Sequence, residues 1–240
     1  MGSEAMTLIL VLPTRDGIVM ASDGQVTAGM VRTTGQKILR LNDKCLWAAS
    51  GELALIQRVE ERLKILPSNA PLQQLRDQIC GVVKQCVMEL LQLDFRTAFL
   101  PQDPNLLLQL HPGDFVFAEC TPAPAVLHVL INGTPEWITN RPFASGSGEM
   151  FAYALLQKYQ GLELDMEKGA LLAYKVLEEA IAVGAYGLGP PIDIWKISNS
   201  GIKQLNDSEK AALEDASRTL RQYEIELLMG AREQGDSDAR

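Results

Sequence analysis

The chain opens on two short apolar runs, Thr7 to Leu12 and Ile18 to Ser22, separated by Pro13-Thr14-Arg15-Asp16-Gly17. The Pro and the Asp-Gly pair supply turn dihedrals, so the pattern predicts a β-hairpin. A polar bend containing Gly24, Gly29 and Gly35 leads to two more short strands, Lys37 to Leu41 and Cys45 to Ala49. After Gly51 the period lengthens. Leu53, Ile56, Val59, Leu63 and Leu66 recur every three or four residues, and so do Leu72, Leu75, Ile79, Val82, Cys86, Leu90 and Leu93 beyond Pro71. Each set is one face of an amphipathic helix. A Pro-containing connection over 95–113 follows, long for a simple loop.

Sheet patterning then returns at Phe115 to Cys120, Ala125 to Ile131, Glu136 to Ile138 and Pro142 to Ala144, with Asn132-Gly133 as a hairpin turn. A helix spans Gly148 to Gly161. Another, rich in Ala, opens at Asp165 and closes near Gly184. Ile192 to Ser198 and Ile202 to Leu205 form a last hairpin. Ser208 is expected to cap a terminal helix with Leu213, Ala216, Leu220 and Leu227 on one side, and 234–240 is expected to fray. Paired helices between hairpin-linked strands predict an α+β fold: a four-layer αββα sandwich of two antiparallel sheets flanked by helices.

Composition narrows the function. The 240 residues suffice for one large domain, and the net charge of −8 disfavours nucleic acid or anionic lipid as a partner. No run approaches the ~18 apolar residues of a membrane span, and MGSEAM lacks the basic and apolar regions of a signal peptide, so no membrane association and a cytoplasmic location are expected. Cys45, Cys80, Cys86 and Cys120 lie without a CxxC pair in apolar surroundings, which predicts buried free thiols and no metal site.

Catalytic motifs based on histidine are scarce, because the chain has only His111 and His128. Gly146-Ser147-Gly148 lies where a strand passes into a helix, but Ala144 breaks the GxSxG elbow and both histidines precede Ser147. It also lacks the third glycine of GxGxxG and the lysine of a P-loop.

Three stretches carry a resemblance: Thr7-Leu8-Ile9-Leu10-Val11, Asp23-Gly24-Gln25-Val26-Thr27-Ala28-Gly29 and Lys37-Ile38-Leu39-Arg40-Leu41-Asn42-Asp43-Lys44. In that order they resemble a β-type proteasome subunit, especially its bacterial relative HslV, over most of residues 7–205. The resemblance implies the N-terminal-nucleophile hydrolase fold and a site of Thr7, Asp23, Lys37 and Ser147. It further implies the backbone N–H of Ala48 as oxyanion donor, a pocket of Val26, Thr27, Leu39 and Leu46, and no cofactor. Family members usually carry Gly where Ala48 stands. Many also have an RDxxSG stretch where this chain has Gly184-Ala185-Tyr186-Gly187-Leu188-Gly189.

The chemistry of such a set is consistent without histidine. A threonine at a chain terminus lies beside its own α-amine, whose ordinary pKa of about 7.7–8.0 suits a general base. A lysine nearby lowers that pKa by like-charge repulsion. Asp23 would orient Lys37, and Ser147 would help relay the proton. The resemblance implies threonine endopeptidase action on peptides or unfolded proteins inside a homo-oligomeric ring of six or seven subunits, stacked in two rings, with an ATP-driven unfoldase as a candidate partner. The expected organisation is residues 1–6 as a removable leader, an alternative start or a tag, 7–205 as the peptidase domain and 206–240 as a helix and tail. The alternatives are a catalytically silent ring subunit and an amidohydrolase acting on a small amide.

Overall fold

A computed structural model describes residues 7–28, 31–90, 113–184 and 187–237. Strands β1 (Ile9–Thr14) and β2 (Gly17–Asp23) form the opening hairpin. They are followed by β3 (Gln25–Ala28), β4 (Val31–Thr34), β5 (Ile38–Arg40) and β6 (Cys45–Ser50), then helices α1 (Leu53–Leu63) and α2 (Leu72–Glu89). The second half has β7 (Asp114–Cys120), β8 (Pro124–Leu130), β9 (Pro135–Ile138), β10 (Phe143–Ser145), α3 (Glu149–Leu156) and α4 (Met166–Val183). It ends with β11 (Ile192–Ser198), β12 (Gly201–Gln204) and α5 (Asp207–Ser237).

The first sheet has the order β10-β1-β2-β11-β12 and the second β5-β6-β7-β8-β9, with antiparallel pairing throughout. Because side chains alternate along a strand, each sheet feeds two apolar layers. Leu8, Leu10, Leu12, Val19 and Ala21 face α3 and α4. Trp47, Phe115, Phe117, Leu127 and Val129 face α1 and α2. Ile9, Val11, Ile18, Met20, Leu46, Ala48 and Val116 fill the space between the sheets. The architecture is the expected four-layer sandwich.

Several local readings change. The polar bend after Asp23 forms a two-stranded ribbon, β3–β4. On α1 the buried face is Leu55, Val59 and Leu63, while Leu53 is exposed, so the helix is rotated from its predicted phase. The predicted long connection lies outside the described residues except for Gly113. Asp165 caps α4 by accepting the Lys168 N–H at 2.9 Å, and Gly184 closes that helix at φ 66°. The cap of α5 is Asn206, not Ser208. Asn206 accepts the Glu209 N–H and Glu209 accepts the Asn206 N–H, a reciprocal capping box. The helix also continues to Ser237, past the predicted frayed start. Its first half docks on α4, whereas Leu220, Tyr223, Leu227 and Leu228 are exposed. Cys45, Cys86 and Cys120 are buried and Cys80 half-buried, all as free thiols.

Candidate active site

The site forms where β1 begins and β2 ends. Asp23, the last residue of β2, is fully buried beside the entry of the chain into β1. A buried carboxylate is tolerated only with several donors, and Asp23 has four. Its Oδ1 accepts the Leu8 N–H at 2.9 Å and the Lys37 ammonium at 2.7 Å. Its Oδ2 accepts the N–H groups of Gln25 at 3.2 Å and Gly189 at 3.3 Å. One oxygen thus ties the backbone just after Thr7 to Lys37. Burial lowers the pKa of Lys37 below its ordinary value, against the opposing charge and hydrogen bond of Asp23.

Ser147 approaches from the turn between β10 and α3. Its Oγ accepts the Thr7 N–H at 3.2 Å and donates to the Thr7 carbonyl at 3.4 Å. This clamp depends on Gly146, which has φ 104° and whose Cα faces the Thr7 carbonyl so closely that a Cβ would collide with it. Ser147 thus holds Thr7 while Asp23 joins Lys37 to the next residue, Leu8, so the four side chains gather at one point although 140 positions separate the first and last. Thr7 is 4% exposed, and Ser147 is exposed.

The other expected residues distribute differently. Ala48 lies within β6, paired with Ile38 on one side and Val116 on the other. A residue so placed has its N–H engaged by one neighbouring strand or the other, so Ala48 is not a free oxyanion donor. Its methyl also points into the core between the sheets and not into a groove. Strand β6 runs on past the Ile38 pairing, but Ser50 is still paired with Asp114 of β7, which leaves Gly51, just past the strand, as the candidate backbone donor at that edge. Gly51 has φ 119°. The dipeptide Ser50-Gly51 before a helical period was the available sequence signal.

Leu46 and Leu39 are also corrected as pocket residues. Leu46 is fully buried between the sheets, and Leu39 packs toward the α1–α2 layer. Both orientations follow from strand alternation once the register Leu39↔Trp47 is fixed. Val26 lies on ribbon β3 with its side chain over Gly35. Thr27 pairs with Arg32 in the same ribbon, and its side chain lies outside the described residues.

Residues 7–95 match the family model described as proteasome subunit. The proteasome subunit beta of Nanoarchaeum equitans is 26% identical over 204 residues, covering 83% of this chain and 97% of the relative. That of Methanococcus vannielii is 25% identical over 206 residues, covering 81% and 84%. The chain is a relative of the proteasome β subunits. Anbu (ancestral beta-subunit) from Yersinia bercovieri shares the fold of this proteasome β relative. Its TM-score is 0.69 at 11% identity, over 92% of this chain and 97% of Anbu. Among the described residues no helix is long and apolar enough to cross a membrane, and no group of three or more His, Cys, Asp or Glu forms a metal-binding cluster.

Proposed function

We propose that this proteasome β relative is a cytoplasmic threonine endopeptidase that cleaves peptides or unfolded proteins from within a homo-oligomeric ring of six or seven subunits, fed by an ATP-driven unfoldase. The observation that carries the reading is the Asp23 oxygen shared by the Leu8 N–H and the Lys37 ammonium, with the Ser147 hydroxyl on the nitrogen of Thr7.

The reaction needs the Met6–Thr7 bond to be cut, which turns the nitrogen beside Ser147 into an amine. The Thr7 Oγ attacks the substrate carbonyl carbon while its proton passes to that amine, directly or through Ser147. The N–H group of Gly51 is the donor for the resulting oxyanion. The amine returns the proton to the departing peptide nitrogen as the C–N bond breaks, which leaves an ester on Thr7. Water, deprotonated by the same amine, then hydrolyses the ester. Lys37 keeps the amine in its basic form, and Asp23 fixes Lys37.

One observation favours a silent ring subunit instead. Leu188 is buried beside Leu8 and Gly148, an apolar contact in the segment where many relatives carry polar support. The two readings separate in a single experiment. Mass spectrometry of the natively expressed chain should show an N-terminus at Thr7, and fluorogenic peptides should be turned over. Thr7→Ala should lower kcat/KM by about three orders of magnitude or more. An intact leader with no turnover would establish the silent subunit, and full activity in Thr7→Ala would exclude this nucleophile.

A further inference from the structure

A polar chain crosses the interior between the two sheets, and the mechanism above does not use it. The Ser50 hydroxyl donates to Ser145 Oγ at 2.6 Å, and the Ser145 hydroxyl donates to Asp114 Oδ2 at 2.7 Å. The direction is fixed because an ionised carboxylate only accepts. Asp114 Oδ1 lies 2.7 Å from His128 Nε2, and His128 Nδ1 lies 3.5 Å from Glu136 Oε2. Ser50, Asp114, His128 and Glu136 sit on β6, β7, β8 and β9 of the second sheet. Ser145 ends β10 of the first. The 2.6 Å bond between the serines therefore joins the sheets.

Its position is what gives it meaning. Elsewhere the same layer is filled by Val11, Ile18, Met20, Leu46, Val116 and Val126. Apolar side chains hold two sheets together without the desolvation cost of a buried carboxylate and imidazole, so stability alone does not call for polar residues here. The polar chain is confined to the end of the sandwich that carries the site. Ser145 pairs with Ile9, two residues after Thr7, and lies two residues before Ser147. Ser50 directly precedes Gly51, the proposed backbone donor at the end of β6. The proposed nucleophile and the proposed oxyanion donor are thus tied to different sheets, and the hydrogen bonds that cross between them here are those of Ser145 with Ser50 and with Asp114.

We infer that Ser145 and Asp114 are positioning residues: they bolt the Thr7-bearing sheet to the Ser50–Gly51 strand end and so hold the nucleophile and the oxyanion donor at a fixed separation. This rests on the peptidase reading for its catalytic consequence, but its structural half does not. His128 anchors Asp114 from the far side, with Glu136 and the nearby Glu149 as the other charged groups around it. A 1 Å error in such a separation is enough to slow chemistry about a hundredfold without weakening binding.

The test compares the full-length wild type with Ser145→Ala, Ser145→Thr and Asp114→Asn, by hydrogen exchange read by mass spectrometry and by peptide kinetics. In Ser145→Ala, exchange across residues 45–52 should rise by about tenfold while α4 stays protected, and kcat should fall by about tenfold or more with KM within about twofold. Ser145→Thr, which keeps the hydroxyl, should restore both. If Ser145→Ala does not fold, Asp114→Asn supplies the same pair of readouts at a more exposed position. Unchanged exchange at 45–52, or a rise in KM at constant kcat, overturns the bolt. Absence of Thr7-dependent turnover in the wild type would instead remove the peptidase reading, and the exchange result would then decide the bolt alone.

Discussion

Asp23 is the residue on which the most contacts converge, and its replacement is the sharpest test of how the site is held. Asp23→Asn keeps the size of the side chain but leaves the Lys37 ammonium, 8% exposed, without its countercharge. Breaking a buried pair by removing one partner costs about 3–5 kcal/mol, so denaturant titration should show a loss of that order. Adding Lys37→Met should recover part of the loss, because the buried ammonium that Asp23 neutralised is then gone. Gly146→Ala tests the other side of Thr7. At φ 104°, with the Thr7 carbonyl against the new methyl, the turn must move, at a cost of about 2 kcal/mol or more. At this scale the sequence was partly legible. Thr7, Asp23, Lys37 and Ser147 are each ordinary residues for a strand start, a turn, a surface or a loop, and only the mechanism that needs all four makes them a set. Ala48 was misread for a physical reason: a motif offset cannot tell which N–H the ladder consumes, since that depends on where the neighbouring strand stops.

Helix α5 shows how far an element can be read from its own pattern. Its apolar period identified a helix, and Leu213 packs against the core, but the contacts farther along the helix to α4 are polar. Ser217 is 1% exposed and donates to Glu178 at 2.7 Å, and Arg221 lies 3.2 Å from the same carboxylate. Lys175 of α4, nearly buried, pairs with Glu179 at 2.8 Å and Glu224 at 3.1 Å. Ser217→Ala leaves Glu178 short of a donor in a closely packed contact, so about 1–2 kcal/mol should be lost. The loss should be local: exchange should quicken along 207–230 with β1 and β2 unaffected. No hydrophobic periodicity encodes such clasps: of the side formed by Leu213, Ala216, Leu220 and Leu227, Leu213 packs against the core, whereas Leu220 and Leu227 lie exposed. The same limit hid the β3–β4 ribbon. Its strands are only four residues each, Gln25–Ala28 and Val31–Thr34, and they lie among Gly24, Gly29 and Gly35, so turn signals dominate the segment. The sheets and the four-layer stacking were legible because every buried strand had to commit its side chains to one layer or the other.

For the whole molecule, the pH dependence of stability follows from where the charges are buried. His128 loses favourable hydration on burial, yet the hydrogen bonds and charges of Asp114 and Glu136 raise its pKa above the ordinary 6.5. Burial likewise opposes the charge of Asp114, but hydrogen bonds from His128 and Ser145 hold its pKa below 3.8. A raised histidine stabilises fully below its unfolded pKa and loses that contribution as pH rises through the folded value. A depressed carboxylate stabilises above its unfolded pKa and loses it as pH falls through the folded value. Together they are most effective between about pH 4 and 6.5. Above that window the net charge of −8 adds self-repulsion in the same direction. Lys37 acts in the opposite sense, because a lysine pKa lowered by burial favours the fold as pH climbs toward 10.5. The thermal midpoint should therefore fall between pH 6 and 8.5, by about 2–4 °C for each kcal/mol lost. His128→Gln should lower the midpoint at pH 6 and flatten this slope, while 0.5 M salt should relieve only the part due to repulsion among exposed charges. A slope that His128→Gln leaves unchanged, and that salt removes completely, would assign the whole effect to surface charge and none to the polar chain between the sheets.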